Sequence, residues 1–197
     1  CLLNSMLNMV ETPVTVNYDC DVVLPVQSYL AAEKMIIEEN YDLVYPFGNT
    51  QTSQKRVEIG NQVEKFIQLD YNLDFIEDLS FDWPAAYGFC QFFNTDSYKN
   101  NGGESESFVA YGPEDVERYE RWLRLNKKIG RIDDLVFHFE HSRTPNSSPA
   151  NSYMKKNEKI LEKIREMNDN EFKHYVELLF VDQIKTRIEY PFHLTIL

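Results

Sequence analysis

The sequence predicts an α/β domain, in which strands alternate along the chain with helices. One observation is the short β-branched segment Val14–Tyr18, which has the composition of a buried strand. Another is that apolar residues recur on one helical face in Gln27–Glu39 and in Glu114–Lys127. In addition, 197 residues of 43% hydrophobic composition suffice for one domain with a sizeable core. This alternation is typical of a sheet flanked by helices.

Each element follows from a local signal in the sequence. A helix over Leu2–Val10 ends at Thr12-Pro13, because proline cannot continue it. Tyr41–Pro46 is a second strand, and Val116, Tyr119, Trp122 and Leu123 form the apolar face of the Glu114–Lys127 helix. The other predicted elements are a mostly helical segment Gln51–Leu69, an extended segment Trp83–Phe93, a turn Asn100–Gly103, a strand Leu135–Phe139, a polar loop Ser142–Ser152, and helices Tyr153–Arg165 and Glu171–Val181.

Composition restricts the classes of partner. The formal charge of −12 argues against nucleic acid, which requires a basic surface. It remains compatible with a nucleotide sugar, because a bound metal ion reverses the local charge. The three cysteines are odd in number and lack CxxC spacing, so we expect no disulfide framework and a cytoplasmic location. No apolar segment is long enough for a transmembrane helix, so no integral membrane segment is expected.

Two carboxylates follow the first predicted strand. Asp19 and Asp21 lie one residue apart at its carboxyl end, where ligands collect in α/β sheets. Their oxygens could converge on one hard cation, which would neutralise a diphosphate leaving group. The plainer interpretation is that the two acids only end the strand and cap the next segment of the chain.

A second acidic pair, Glu114-Asp115, starts a predicted helix. The structural explanation is that proline and acidic residues are both favoured in the first turn of a helix, where the helix dipole stabilises negative charge. The functional interpretation is that one carboxylate accepts the proton of an attacking sugar hydroxyl. Three of the chain's seven glycines, Gly102, Gly103 and Gly112, lie nearby and suggest close approach of the backbone to a ligand.

Two histidines lie at and just after the end of the last predicted strand. His138 and His141 are three residues apart, a spacing that does not place both on one face of a strand, so only one is expected to be a ligand. Arg143 could pair with phosphate oxygens or simply be solvated. The aromatic residues Trp83, Tyr87 and Tyr111 could stack on a sugar, although core positions are commoner for aromatics.

These residues together resemble a known enzyme family. Asn101-Gly102-Gly103, Tyr111-Gly112-Pro113-Glu114-Asp115 and His141-Ser142-Arg143 occur in the order found in the carboxyl-terminal half of metal-dependent galactosyltransferases and bacterial chondroitin-polymerase-type transferases. Asn4, fifteen positions before Asp19, matches a helical asparagine of the same type of transferase. The resemblance covers roughly residues 1 to 143.

The resemblance implies a role for each residue. Asp19, Asp21 and His141 would bind Mn²⁺ or Mg²⁺, and Asn4, Asp19 and Arg143 would bind the UDP-sugar donor. Tyr111, Gly112, Gly103 and Glu114 would bind a carbohydrate acceptor, and Asp115 would be the base of an inverting displacement. The implied fold is the GT-A, or nucleotide-diphospho-sugar transferase, fold, whose first strands would precede Cys1.

The implied organisation is a catalytic domain over residues 1–150 with a helical extension over 151–197, which is a candidate homodimer contact. Two other functions remain open from the sequence. Val14–Val23 also fits the strand and Asp-x-Asp pattern of a haloacid-dehalogenase-type phosphatase, with Asp19 as nucleophile and Asp133-Asp134 as a later acidic pair. The third interpretation is a transferase-like domain that only binds sugar or a partner protein.

Overall fold

The computed structural model describes residues 2–50, 52–84 and 87–189, with side chains described to residue 180. The chain forms two compact units. The helical unit comprises Cys1–Thr15, Thr95–Leu125 and Arg143–Leu197, and the sheet unit comprises Val16–Asn94 and Asn126–Ser142. The fold class is α/β, with two mixed sheets flanked by helices.

The elements follow one another in the order α1 (Leu2–Met9), β1 (Val14–Tyr18), β2 (Val22–Val23), α2 (Val26–Ile37), β3 (Leu43–Tyr45), β4 (Gln54–Val57), α3 (Val63–Gln68), α4 (Leu73–Glu77), β5 (Ser80–Asp82), β6 (Cys90–Asn94), α5 (Thr95–Asn100), α6 (Glu114–Arg124), β7 (Ile129–Arg131), β8 (Val136–Phe139), α7 (Met154–Glu166) and α8 (Asp169–Glu189). Short 3₁₀ turns span Gly60–Gln62 and Pro145–Ser147. In the helical unit, α1 packs against α5 and α8.

Two sheets of four strands each form within the described residues. The first has the order β1-β6-β3-β7, with β3 antiparallel to β6 and parallel to β7. The second has the order β2-β8-β4-β5, with β8 parallel to β4 and antiparallel to β2. Each sheet is therefore mixed.

The core of the sheet unit forms where strands have neighbours on both sides. All three residues of β3 are buried, since this strand lies between β6 and β7. Beside the second sheet, Val57, Phe66, Ile76 and Phe137 form a buried cluster. Burial of each such side chain contributes about 1.5–3 kcal/mol.

Several predicted elements are confirmed, and several other predictions are wrong in whole or in part. The strand Val14–Tyr18 is confirmed with the same bounds, and the helix near Gln27–Glu39 and the strand near Leu135–Phe139 are confirmed within about two residues. The expectation that Val14–Tyr18 is buried is wrong, because β1 is an edge strand with Val16 and Tyr18 about 40% exposed. In the predicted extended segment Trp83–Phe93, only the last part forms a strand, β6, and Ala85 and Ala86 lie outside the described residues.

The prediction of a mostly helical Gln51–Leu69 is wrong over its first half, where β4 forms (Gln51 itself lies outside the described residues). This strand reads as a solvated helix because three of its four residues are polar. Each polar side chain nevertheless has a partner: Gln54 donates to the Gly48 carbonyl, Lys55 pairs with Asp82, and Arg56 pairs with Glu140. Cross-strand partners thus make a polar segment suitable for the interior of a sheet.

The face of α6 that is buried also differs from the prediction. Only Trp122 of the predicted apolar face is buried, and Leu123 is exposed. The other buried side chains are charged, namely Glu117, Arg118 and Arg121. Ion pairs allow this burial, which an apolar pattern cannot reveal.

Candidate functional site

Strand pairing in the second sheet brings Asp21 to the two histidines. The register places Val22 opposite His138, and the Phe139 N–H donates to the Asp21 carbonyl at 2.8 Å. Asp21 therefore lies beside the end of β8, from which the chain continues to His141. Sequence positions more than a hundred residues apart meet here because β2 and β8 are neighbours.

Asp21, His138 and His141 form a compact group of potential metal ligands. The Asp21 Oδ2 lies 2.9 Å from His141 Nε2 and 3.5 Å from His138 Nε2. One ligand atom from each residue lies within 4.8 Å of the other two. His138 is buried, whereas Asp21 is partly exposed and His141 is exposed, so the group is open to solvent on one side.

The His141 ring is oriented with Nε2 toward Asp21 and Nδ1 toward the Ser142 carbonyl. Its Nδ1 lies 2.9 Å from the Ser142 carbonyl, which can only accept, so Nδ1 carries a proton and Nε2 faces Asp21. The Asp21 carboxylate oxygen and the His141 imidazole nitrogen, 2.9 Å apart, are close enough to bind one metal ion together. A carbonyl behind a histidine is a usual way to orient a metal ligand.

A second carboxylate, that of Glu140, lies close to the His138 ring. The His138 Nδ1 lies 3.4 Å from Glu140 Oε1, and Glu140 also pairs with Arg56. The Arg56 guanidinium in turn stacks over the Trp83 ring at 4.1 Å. The Glu140 carboxylate is thus near the His138 ring, but this contact is not the hydrogen bond that fixes ring orientation at metal sites.

The donor set fits some cations better than others. Two imidazoles and one carboxylate suit Mn²⁺ and its first-row neighbours, whereas Mg²⁺ prefers oxygen ligands alone. Among the two ions predicted from the sequence, the residues present therefore fit Mn²⁺ better.

Asp19, predicted as a metal ligand, does not belong to this group of three. Its side chain is exposed, and its backbone N–H donates to the Phe89 carbonyl at 2.9 Å. Its negative charge acts on Cys90: burial, and then the charge of Asp19, raise the pKa of that thiol.

The second predicted group, Glu114-Asp115, lies in the helical unit at the start of α6. Burial, and then the neighbouring Asp115, raise the pKa of Glu114 to about 7. Its Oε2 is buried and has no hydrogen-bond partner among the described residues. Asp115 differs, since its Oδ1 accepts from Arg118 Nη1 at 2.9 Å. The two adjacent acids thus differ in their contacts: Asp115 is paired with a cation, whereas the Glu114 Oε2 is not.

A buried ion-pair network lies beside these acids. Arg118 binds both oxygens of Glu104 at 2.7 Å, and Tyr98 donates to the same carboxylate. Burial disfavours the charged form of Glu104, yet Arg118 outweighs it and lowers the pKa of the carboxyl. Asn4 belongs to this network, because its Nδ2 donates to the Glu104 carbonyl and to Glu106 while its Oδ1 accepts from the Glu104 N–H.

The other predicted residues of the helical unit lie in tightly connected backbone. Gly103 is buried, and its carbonyl accepts from Arg121 at 2.8 Å. Gly112 lies against Asn157, since a Cβ there would come within 2.5 Å of Asn157 Nδ2. Tyr111 keeps an exposed side chain. Arg143 is exposed and donates to the Ser147 carbonyl at 3.2 Å.

Sequence reasoning missed His138 as the third member of the potential metal-ligand group and Glu104 with Arg118 as a buried pair. The strand alternation that argued against His138 stops at Phe139, where β8 ends and the chain turns His141 back toward Asp21. No local spacing indicates the pair of Glu104 and Arg118. The sequence suggests only the other ion pair of Arg118, with Asp115 three residues before it.

No protein-family model matches the chain, and no curated protein matches its sequence significantly. Among the described residues, none of the helices combines the length and apolar composition that a membrane-spanning helix needs.

Proposed function

We propose that this chain is a metal-dependent glycosyltransferase of the nucleotide-diphospho-sugar transferase fold. It would transfer a hexose or N-acetylhexosamine from a UDP-sugar to a carbohydrate hydroxyl with inversion. The observation that carries the proposal is the group Asp21, His138 and His141. It joins Asp21 of the Asp-x-Asp segment to His141 of the histidine motif, which are two of the three ligands that the resemblance implies.

In this proposal the three side chains hold Mn²⁺. When bound, the ion neutralises the diphosphate and so stabilises it as a leaving group. The Ser142 carbonyl orients the His141 imidazole through Nδ1. Asp19, Asn4 and Arg143 remain predicted donor-binding residues.

The proton of the acceptor hydroxyl would go to the acidic pair of the helical unit. The sequence assigned this role to Asp115 and acceptor binding to Glu114, together with Tyr111, Gly112 and Gly103. The geometry favours the reverse. Asp115 is occupied by its ion pair with Arg118, whereas Glu114 has a pKa of about 7 and an Oε2 without a partner among the described residues. We therefore assign the base to Glu114.

The phosphatase interpretation receives less support from the contacts. It needs an available acidic pair at Asp133-Asp134, but the Asp134 carboxylate accepts from Ser28 Oγ at 2.6 Å and from the Leu135 N–H at 2.8 Å. These contacts hold the first turn of α2 and the approach to β8. It also leaves the two histidines beside Asp21 without a role.

A transfer assay tests the proposed function. The chain is incubated with UDP-galactose or UDP-N-acetylgalactosamine, Mn²⁺ and a panel of glycoside acceptors, and UDP release and glycoside mass are measured. We expect Mn²⁺-dependent release that Asp21→Asn abolishes, with Asp96→Asn on α5 as the control carboxylate.

Two other outcomes would contradict the transferase. Mn²⁺ binding without turnover of any donor would indicate a binding domain. Hydrolysis of p-nitrophenyl phosphate that depends on Asp19 would indicate the phosphatase.

A further inference from the structure

A row of side chains crosses the second sheet on one face. The register pairs Val22 with His138, His138 with Arg56, and Arg56 with Phe81. Directly paired residues point to the same side of a sheet, so these four share one face. Trp83 follows two residues after Phe81 on the same side. The metal-ligand group and this aromatic pair therefore belong to one surface of the sheet unit.

Two aromatic rings in contact are exposed at the end of this row. Phe81 is 42% exposed and Trp83 is 38% exposed, and their centroids lie 6.4 Å apart in an edge-to-face arrangement. They extend from β5, which is an edge strand of its sheet. Single exposed apolar residues are ordinary, but a contacting aromatic pair is a larger apolar surface of the kind that binds ligands.

Arg56 supplies a polar group next to the aromatic pair. It is only 8% exposed, stacks on Trp83 and pairs with Glu140. Its Nε is buried and has no hydrogen-bond partner among the described residues. Since an unsatisfied buried donor costs about 1–3 kcal/mol, an oxygen atom brought to it would be stabilised.

The local charges indicate a neutral ligand. On this face Glu140 neutralises Arg56. This cation is therefore already matched by a carboxylate and does not favour a phosphate or carboxylate ligand. The surface offers two aromatic rings, and the buried Arg56 N–H donor lies next to the Trp83 ring. Together they match a pyranose ring, with its apolar C–H face and its hydroxyl oxygens.

We propose that Phe81, Trp83 and Arg56 form a saccharide-binding platform, on which a sugar ring stacks and to which its hydroxyl oxygens hydrogen-bond. The choice of a saccharide rests on the proposed function. Two inter-strand steps separate Phe81 from His138, so the platform lies roughly 10 Å from the metal-ligand group along the sheet. The sugar comes either from the donor or from the acceptor.

Tryptophan fluorescence provides a direct test, because the chain has two tryptophans and Trp122 is fully buried. Methyl β-galactoside and N-acetylgalactosamine are titrated into the full chain without metal. We expect saturable quenching and, by saccharide NMR, an affinity that Trp83→Ala weakens at least about tenfold while Trp83→Phe retains most of it. Tyr71→Ala is the matched control, since Tyr71 is also an exposed aromatic of the sheet unit.

Whether the sugar belongs to the donor or to the acceptor follows from comparing the binding of UDP-galactose, UDP and free glycosides by the wild type and by Trp83→Ala. If Trp83→Ala weakens UDP-galactose binding but not UDP binding, the platform holds the donor sugar. If it weakens only the free glycosides, the platform holds the acceptor. The platform would be overturned if the wild type bound neither glycosides nor UDP-galactose. It would also be overturned if Trp83→Ala bound both ligands as tightly as the wild type does. Metal-dependent UDP binding that persists in that variant would leave the transferase intact, so the two failures are distinguishable.

Discussion

Glu114 is the residue whose protonation is expected to control activity. Its pKa rises from 4.5 to about 7 through burial and the charge of Asp115. If Glu114 is the base, kcat increases as pH rises through about 7. Glu114→Gln should remove this rise and lower turnover on the order of a hundredfold or more. Asp115→Asn is the matched control, and a larger loss there than in Glu114→Gln would return the role of base to Asp115.

The same shift has a consequence for stability. Because the folded state binds the Glu114 proton more tightly than the unfolded state, its contribution is fully present below pH 4.5 and is lost as pH rises through about 7. The free energy of unfolding of the wild type should thus fall, relative to Glu114→Gln, by on the order of 3 kcal/mol between these pH values. Chemical denaturation of both proteins at pH 4.5 and pH 8 measures the difference. Parallel pH dependence in the two proteins would contradict the shift.

His138 tests the metal site at a residue that the sequence did not assign as a ligand. We expect His138→Ala and His141→Ala each to weaken Mn²⁺ binding at least about tenfold, because each removes one ligand of three. His174→Ala, at an exposed histidine of α8, is the control. Isothermal titration with MnCl₂ measures all three. Unchanged affinity in His138→Ala would make this histidine structural.

Among the helices and strands, the predictions succeeded where the local sequence pattern determines the structure. They failed where the structure depends on partners that are distant in sequence. The strand Val14–Tyr18 follows from its β-branched residues. The strand Gln54–Val57 could not be predicted, because its polar side chains are satisfied by residues as distant as Glu140. Similarly, Arg118 on the charged face of α6 can be buried because Glu104, fourteen residues earlier, pairs with it. The motifs predicted Asp21 and His141 as members of the potential metal-ligand group, whereas the inclusion of His138 depends on where β8 ends.

The loop before α6 provides a prediction at this scale. Asn157 of α7 donates to the Val109 carbonyl and contacts Gly112, so the helix fixes the loop. Gly112→Ala should destabilise the protein by about 1–3 kcal/mol, because its Cβ would overlap Asn157. Thermal unfolding of Gly112→Ala, Asn157→Ala and the double variant measures the coupling. Fully additive effects would contradict a direct contact.

At the scale of the whole molecule, the sequence predicted the α/β class but not the division into two units. Each unit is built from segments that are distant in the chain, such as Thr95–Leu125 and Arg143–Leu197 in the helical unit. Local patterns contain no record of such pairings. The proposed dimer contact of residues 151–197 stays a prediction.

The central claim is that Asp21, His138 and His141 hold a metal ion that recruits a diphosphate. Calorimetric titration of UDP into the full chain, with and without Mn²⁺, tests it most directly, and Asp21→Asn is the matched variant. We predict saturable UDP binding that requires Mn²⁺ and is lost in Asp21→Asn. UDP binding that is equal with and without Mn²⁺, or absent although Mn²⁺ itself binds, would contradict the account.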